Sequence, residues 1–245
     1  MEPVNPELVP RKGLKKEEMK NLQRNIAEKA VFQDRFKFSA ERPEELTVAG
    51  VDQAFTDDKS VSAAVVMEDG EVIEEASAAA ELDIPYIPGL LAFREGESIV
   101  KALGNLDAEP DILFLDGSGR IHFREAGIAT HIGVIFDEPS IGIAKNLLCG
   151  ETSWNGGKLE QGRKIPVTAS EKVENTENGE IIGYTFQSKQ YTGDRKINPL
   201  YVSPGHRISA GSSVKIVEEF CQNYKLPEPT RLADKRVSEL KDEYR

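Results

Sequence analysis

Apolar positions along this chain recur in two rhythms, and each rhythm predicts an element. Between Leu14 and Asp34 the residues Leu22, Ile26 and Ala30 fall on one helical face. From Leu46 to Phe55 the apolar residues run together as a strand, interrupted by Asp52. Val61–Met67 and Val72–Ala78 read as two further strands, with the hairpin signal Asp69-Gly70 between them. The three strands in succession predict an antiparallel meander. A Pro-bracketed loop, Pro85-Tyr86-Ile87-Pro88, then leads into a helix predicted from Gly89 to Leu103, with Glu95 about two turns in.

The second half alternates strands and helices. Asp111–Asp116 is a short buried strand ending in Asp116-Gly117-Ser118-Gly119. An acid at a strand end before a Gly-rich turn is a common place for a site in an α/β sheet. A helix from about Ala126 to Val134 follows, then a strand over Ser140–Ala144 with Lys145 at its end. Residues 150 to 180 are polar and Gly-rich and read as loop. Ile181–Gln187 and Leu200–Val202 read as short strands, and Ser203-Pro204-Gly205-His206-Arg207 as a turn. Two closing helices, about Ala210–Tyr224 and Thr230–Leu240, are separated by Leu226-Pro227-Glu228-Pro229. Residues 1–13 read as an N-terminal arm. With no internal repeat and no linker, all 245 residues are expected to form a single α/β domain.

Composition narrows the partners. Lysine and arginine number 31 against 42 acids, a net charge of −11, which argues against a nonspecific nucleic-acid coat or a basic membrane-surface protein. It leaves room for a nucleic-acid enzyme with a local basic groove and clustered carboxylates around a metal. Cys149 and Cys221 are too far apart in sequence for a metal motif or a disulfide framework, so a reduced, cytoplasmic compartment is expected. No apolar run is long enough to span a membrane.

Three acids stand out: Asp52, Glu95 and Asp116. If their elements converge they form one dense negative site, and close carboxylates raise one another's pKa unless a cation neutralises them. Oxygen ligands of this kind favour Mg²⁺ or Mn²⁺. Taken singly, each acid also reads as a solvated strand-end or helix-surface charge. His206 reads equally as a proton-transfer or metal-side group and as a packing histidine. Gly117, Gly119 and Gly127 read as turn residues or as a pocket wall, and Lys145 as a strand-end charge or a phosphate contact.

The chain resembles the endonuclease V family, which cleaves nucleic acid next to deaminated purines, mainly inosine. The resemblance is carried by Ala49-Gly50-Val51-Asp52, by the Pro85–Glu95 segment and by Leu115-Asp116-Gly117-Ser118-Gly119. Gly127–Val134, Pro139–Lys145, Leu147-Leu148-Cys149-Gly150, Tyr201–Ser209 and Leu226–Arg231 continue it, from roughly Leu22 to Asp234.

The resemblance implies an RNase H-like fold, a central mixed sheet flanked by helices. It implies metal-binding acids at Asp52, Glu95 and Asp116, with His206 assisting near the metal or water. It implies a wedge at Pro85, Tyr86, Ile87 and Pro88 that fills the space of an extruded inosine. Gly89, Leu91, Gly117, Gly119, Gly127 and Leu148 correspond to the walls of the hypoxanthine pocket, and Lys145 to a phosphate contact.

The implied reaction is Mg²⁺-dependent, with Mn²⁺ as an alternative metal. It cuts the second phosphodiester 3′ of the lesion and leaves 3′-hydroxyl and 5′-phosphate ends. The expected partner is inosine-containing DNA, with RNA as an alternative, and a monomer is expected. Ser118 and His122-Phe123-Arg124 depart from the family pattern, which bears on substrate preference. Three other readings remain: a broader RNase H-like nuclease for flaps or branched DNA, a noncatalytic inosine-binding module, and a small-molecule phosphohydrolase.

Overall fold

The computed structural model describes residues 1–39, 41–191, 193 and 196–243. In chain order its elements begin with α1 (Lys16–Lys29), β1 (Val48–Phe55), β2 (Lys59–Glu68), β3 (Glu71–Glu81), α2 (Leu91–Gly104) and β4 (Ile112–Asp116). They continue with α3 (Ile128–Phe136), β5 (Ser140–Ala144), β6 (Glu151–Thr152), β7 (Lys164–Thr168), β8 (Ile181–Phe186) and β9 (Leu200–His206). Helices α4 (Ala210–Glu219) and α5 (Glu228–Glu243) close the chain. The strands form one mixed sheet in the order β3-β2-β1-β4-β5-β9-β8-β7-β6.

The expected meander is present, with β1, β2 and β3 antiparallel, while β4 and β5 add in parallel to β1. Side chains alternate across the sheet and divide the core into layers. Ala49 and Val51 of β1 and Leu113 and Leu115 of β4 pack with Ala92 and Ile99 of α2 and Ile132 of α3. Val48, Ile112 and Phe114 face the opposite way, toward Val214 and Val217 of α4. Each buried Val, Leu, Ile or Phe of this belt contributes roughly 1.5–3 kcal/mol relative to exposure, which holds β1 and β4 in register.

Two stretches differ from the sequence reading. Residues 150 to 180 contain β6 and β7, which the polar composition hides because both strands are largely uncovered. The segment Ser203–His206 is not a turn but the second half of β9, paired with β5. Pro204 is tolerated there because the β8 partners of β9 extend only over Leu200–Val202, leaving that side of the strand without a ladder at residue 204. Helix α2 begins at Leu91 rather than Gly89, so Glu95 lies about one turn in, not two. The N-terminal arm is anchored: Val4 and Asn5 N–H groups both donate to the Ile135 carbonyl at 2.9 Å. Both cysteines are free and buried. Among the described residues no helix is long and apolar enough to cross a membrane.

Candidate active site

The parallel ladder between β1 and β4 ends at Val51 beside Leu115, so Asp52 and Asp116 leave neighbouring strands at the same level. Asp52 lies within its strand, paired with Ala63 of β2, and the strand runs on to Phe55 as the apolar run predicts. Asp52 is 3% exposed and Glu95, on α2, 2% exposed. Burial, and then the Asp116 charge, push the Asp52 carboxyl up to about 9. The same two causes push Glu95 up to about 8. Asp116 is thus the acid felt by both others.

A fourth acid completes the group, one that the sequence reading did not single out. Asp234 of α5 shares a hydrogen bond with Asp52 and favours its protonated form. The contact follows from Gly50: a Cβ there would stand 2.1 Å from the Pro229 carbonyl carbon, so only glycine lets the start of α5 lie on β1. Gly50 and Asp52 point to the same face of the strand, and Asp234 is one helical turn beyond Thr230. The Leu226–Arg231 motif leading into this helix was the available signal.

Lys145, just past β5, forms an ion pair with Asp116 at 2.7 Å. Burial alone would lower its pKa, but Asp116, Asp52 and Asp234 hold it raised. Among the described residues no three acid, histidine or cysteine side chains already converge as a ligand set. Lysine holds one Asp116 oxygen, and the Gln53 N–H donates to Asp52 Oδ1 at 2.8 Å. The site nonetheless fits a divalent cation. Buried Glu95 Oε2 has no hydrogen-bond partner, and crowded carboxyls are relieved by a cation as well as by protons. A hard dication with oxygen ligands would be held by Asp52, Glu95 and Asp116.

A cavity of about 490 Å³ opens beside these acids and is lined by both Glu95 and Asp116. Gly89, Leu91, Gly117, Gly127 and Leu148 form part of its wall, and Lys145 and Tyr86 stand on it as well. Gly117, at φ +143°, leaves no room for a side chain, since a Cβ would meet Ile128 Cγ2 at 2.4 Å. Tyr86 is 66% exposed on a loop whose flanking prolines, Pro85 and Pro88, are also exposed, with Ile87 partly covered. A slightly larger hollow, about 540 Å³, lies near Leu46, Met67 and Tyr224 and contains none of the acids.

Two expected residues are elsewhere. Gly119 does not line the cavity; a Cβ there would be 2.2 Å from the Pro204 carbonyl oxygen, and its N–H donates to Ser203 Oγ at 2.9 Å. It seats the turn after β4 against β9. His206 does not join the acids either. It pairs with Ser140, the first residue of β5, whereas Asp116 lies beside Ile143 near the other end. His206 Nε2 donates to Asp137 Oδ1 at 3.1 Å, and its Nδ1 accepts from the Val31 N–H at 3.2 Å. Both ring nitrogens are committed to packing the β9 end against α3 and the segment after α1.

This sheet order, with helices on both faces and acids gathered where β1 and β4 part, defines an α/β protein of the RNase H-like class. A family model of endonuclease V matches residues 25–235. The chain belongs to the endonuclease V family, and it is a nuclease. It is 50% identical over 246 residues to endonuclease V of Natronomonas pharaonis, covering 100% of this chain and 99% of that one. The crystal structure of endonuclease V from Streptomyces avermitilis superposes with a TM-score of 0.80 at 30% identity, covering 94% of each chain. Ciona intestinalis endonuclease V, solved with a 24mer DNA containing an inosine followed by a ribo-adenosine, superposes at 0.76 with 25% identity, covering 94% of this chain and 98% of that one.

Proposed function

We propose that this protein recognises inosine in nucleic acid and hydrolyses the second phosphodiester 3′ of it, leaving 3′-hydroxyl and 5′-phosphate ends. The observation that carries the reading is the placement of one cavity between an exposed aromatic loop and a group of buried acids. A base turned out of a duplex leaves a gap, and Tyr86 is the side chain free to stack in it. Extrusion is least costly for a mispaired base, which favours lesions. The extruded base enters the cavity, whose wall includes the tight turn that Gly117 and Gly127 allow to pack against Ile128 and the Ser118 carbonyl. Hypoxanthine lacks the exocyclic amines of adenine and guanine, so a tight wall discriminates by failing to accommodate or satisfy an amine.

Asp52, Glu95 and Asp116 are the residues that would hold the metal, Mg²⁺ or Mn²⁺. When bound, it lowers the pKa of water and stabilises the leaving oxygen of a phosphodiester. Asp234 adds negative charge beside Asp52 and orients that carboxyl. Lys145 swings its ammonium from Asp116 to a substrate phosphate, so one side chain both steadies the acid group and binds the strand. His206 supports the sheet end rather than the reaction. The working form is proposed to be a cytoplasmic monomer acting on DNA, with RNA as the alternative substrate.

The test compares matched DNA and RNA oligonucleotides with and without one inosine, in Mg²⁺, using Asp52→Ala as control. Cutting that requires inosine, falls one nucleotide beyond it and is absent in the variant supports the reading. Equal cutting of undamaged strands indicates a general nuclease. Tight inosine binding without cutting in Mg²⁺ or Mn²⁺ indicates a noncatalytic reader.

A further inference from the structure

Three buried side chains meet at one backbone atom at the base of the Tyr86 loop. The Gly89 carbonyl oxygen accepts from Gln23 Nε2 at 2.9 Å, from His122 Nε2 at 3.0 Å and from Arg124 Nη2 at 3.1 Å. The donors support one another: Arg124 Nε donates to Gln23 Oε1 at 2.8 Å, and the Arg124 N–H donates to His122 Nδ1 at 3.1 Å. That last bond makes Nδ1 the acceptor and leaves Nε2 as the N–H that points at Gly89. Gln23 is 1% exposed, His122 2% and Arg124 9%. The other end of the loop is held too, where Arg94 Nη1 donates to the Ile84 carbonyl at 2.6 Å and its guanidinium lies 4.6 Å from the centre of the Phe55 ring.

Satisfying one carbonyl does not require three donors, since an oxygen has two lone pairs. Burying a guanidinium to do it costs more than a neutral group would. What the arrangement achieves is direction. Gly89 sits at φ +77°, a backbone state a glycine leaves easily, and only Leu90, the N-cap of α2, separates it from the helix. Gln23 comes from α1, while His122 and Arg124 come from the segment after β4. The loop is therefore braced against two parts of the fold that are fixed independently.

We propose that Arg124, acting with Gln23 and His122 through the Gly89 carbonyl, is a positioning residue that sets the angle of the Tyr86 loop over the cavity before nucleic acid arrives. The proposal rests on the reading of Tyr86 as a wedge. A side chain aimed in advance loses little freedom on insertion, and that saving appears only where insertion is needed, in a duplex. Inosine in a single strand has no base stack to hold open.

The test uses the full chain with Arg124→Met, and Arg124→Lys as the conservative partner. Cleavage is measured on one inosine sequence in duplex and single-stranded form, in both the Tyr86 and Tyr86→Ala backgrounds. Arg124→Met is expected to lower duplex cleavage about tenfold, the size of one lost charge-assisted hydrogen bond. Single-strand cleavage is expected to fall by less than about threefold, and the loss in the Tyr86→Ala background to shrink below about twofold, because coupled residues are not additive. Arg124→Lys recovers part of the duplex rate. In the protein without nucleic acid, amide exchange over residues 84–92 rises while that of β1 and β4 does not.

Equal loss on both substrates, a full loss in the Tyr86→Ala background, or unchanged exchange over 84–92 overturns the proposal. If the wild-type protein cuts undamaged strands as well as inosine strands, the inosine reading fails by itself, while amide exchange still reports on the brace.

Discussion

Asp234 reaches Asp52 because α5 lies directly on the backbone of β1 at Gly50, with the Pro229 and Thr230 main chain where a side chain would otherwise be. The approach couples helix packing to the acid group. Gly50→Ala is expected to cost about 1–3 kcal/mol in urea unfolding, the usual range for forcing extra atoms into a packed contact. Cleavage should fall as well, even at temperatures where the variant is fully folded, because α5 is pushed away from Asp52. Wild-type stability in Gly50→Ala would show that α5 is not seated as described.

Asp52 makes the folded protein hold a proton that the unfolded chain releases. With its pKa raised from 3.8 to about 9, the folded state binds more protons across that interval, so stability falls as pH rises through it. Asp52→Asn removes this loss. It is expected to raise Tm relative to wild type at pH 8, by less at pH 5, and to abolish cleavage. Added Mg²⁺ or Mn²⁺ should raise the wild-type Tm at pH 8 and have little effect on the variant. Calorimetric melts at the two pH values, with and without metal, check both statements.

Tyr86 is mostly exposed, so Tyr86→Ala is expected to leave Tm within about 1 °C, as exposed substitutions generally do. Binding of duplex inosine should weaken by about 10- to 100-fold, the span of one lost base–aromatic stack. Cutting of strands without inosine should change little. Gel-shift titration beside a melting curve separates this outcome from a folding defect.

Acid should unfold the protein through two buried histidines that are held neutral. Burial lowers His122 to about 3 and His131 to about 4, from 6.5. Below pH 6.5 the unfolded chain takes up protons that the folded one refuses, so their stabilisation is complete above 6.5 and is lost as pH falls toward 4 and then 3. In an Asp52→Asn, Glu95→Gln background, which removes the opposite pH dependence of the two buried carboxyls, urea midpoints at pH 7, 5 and 4 should decline in that order. A flat midpoint would mean that neither ring is buried in a neutral form.

His206 gives a contrast between structure and chemistry. His206→Asn is expected to lower Tm, because Asp137 and the Val31 N–H lose their shared partner. The rate constant for cleavage at a temperature well below melting should stay within about threefold of wild type, since no transition-state contact is removed. A loss of several hundredfold with an unchanged Tm would place His206 in the reaction after all.

The elements that the sequence displayed most clearly were those whose apolar runs are bounded by breakers. Ser140–Ala144, preceded by Pro139 and followed by a lysine, was legible to the residue. β7 was not, because Lys164 and Pro166 occupy a strand with little apolar covering, where neither run nor alternation survives. Ser203–His206 misled in the opposite sense: Pro204-Gly205 has the composition of a turn, and only the neighbour β5 holds it extended. At the site, Asp52 and Asp116 were visible because acids break apolar runs. Asp234 was hidden because an acid on an amphipathic helix looks like any solvated charge until the helix is seen seated on Gly50.

Among the described residues the sheet ends at β3 and at β6, and the outer edge of β3 has no strand beside it. That strand exposes Val72 and Ile73, a pair that would invite another chain to add its own strand. Glu71, Glu74 and Glu75 surround the pair, Glu74 held by the Asp107 and Ala108 N–H groups and Glu75 paired with Arg236, so two copies brought edge to edge would set the Glu71 carboxylates, and the remaining negative charge beside them, against one another. Part of the protein's large negative charge thereby opposes the addition of a like-charged strand at the β3 edge of this open sheet.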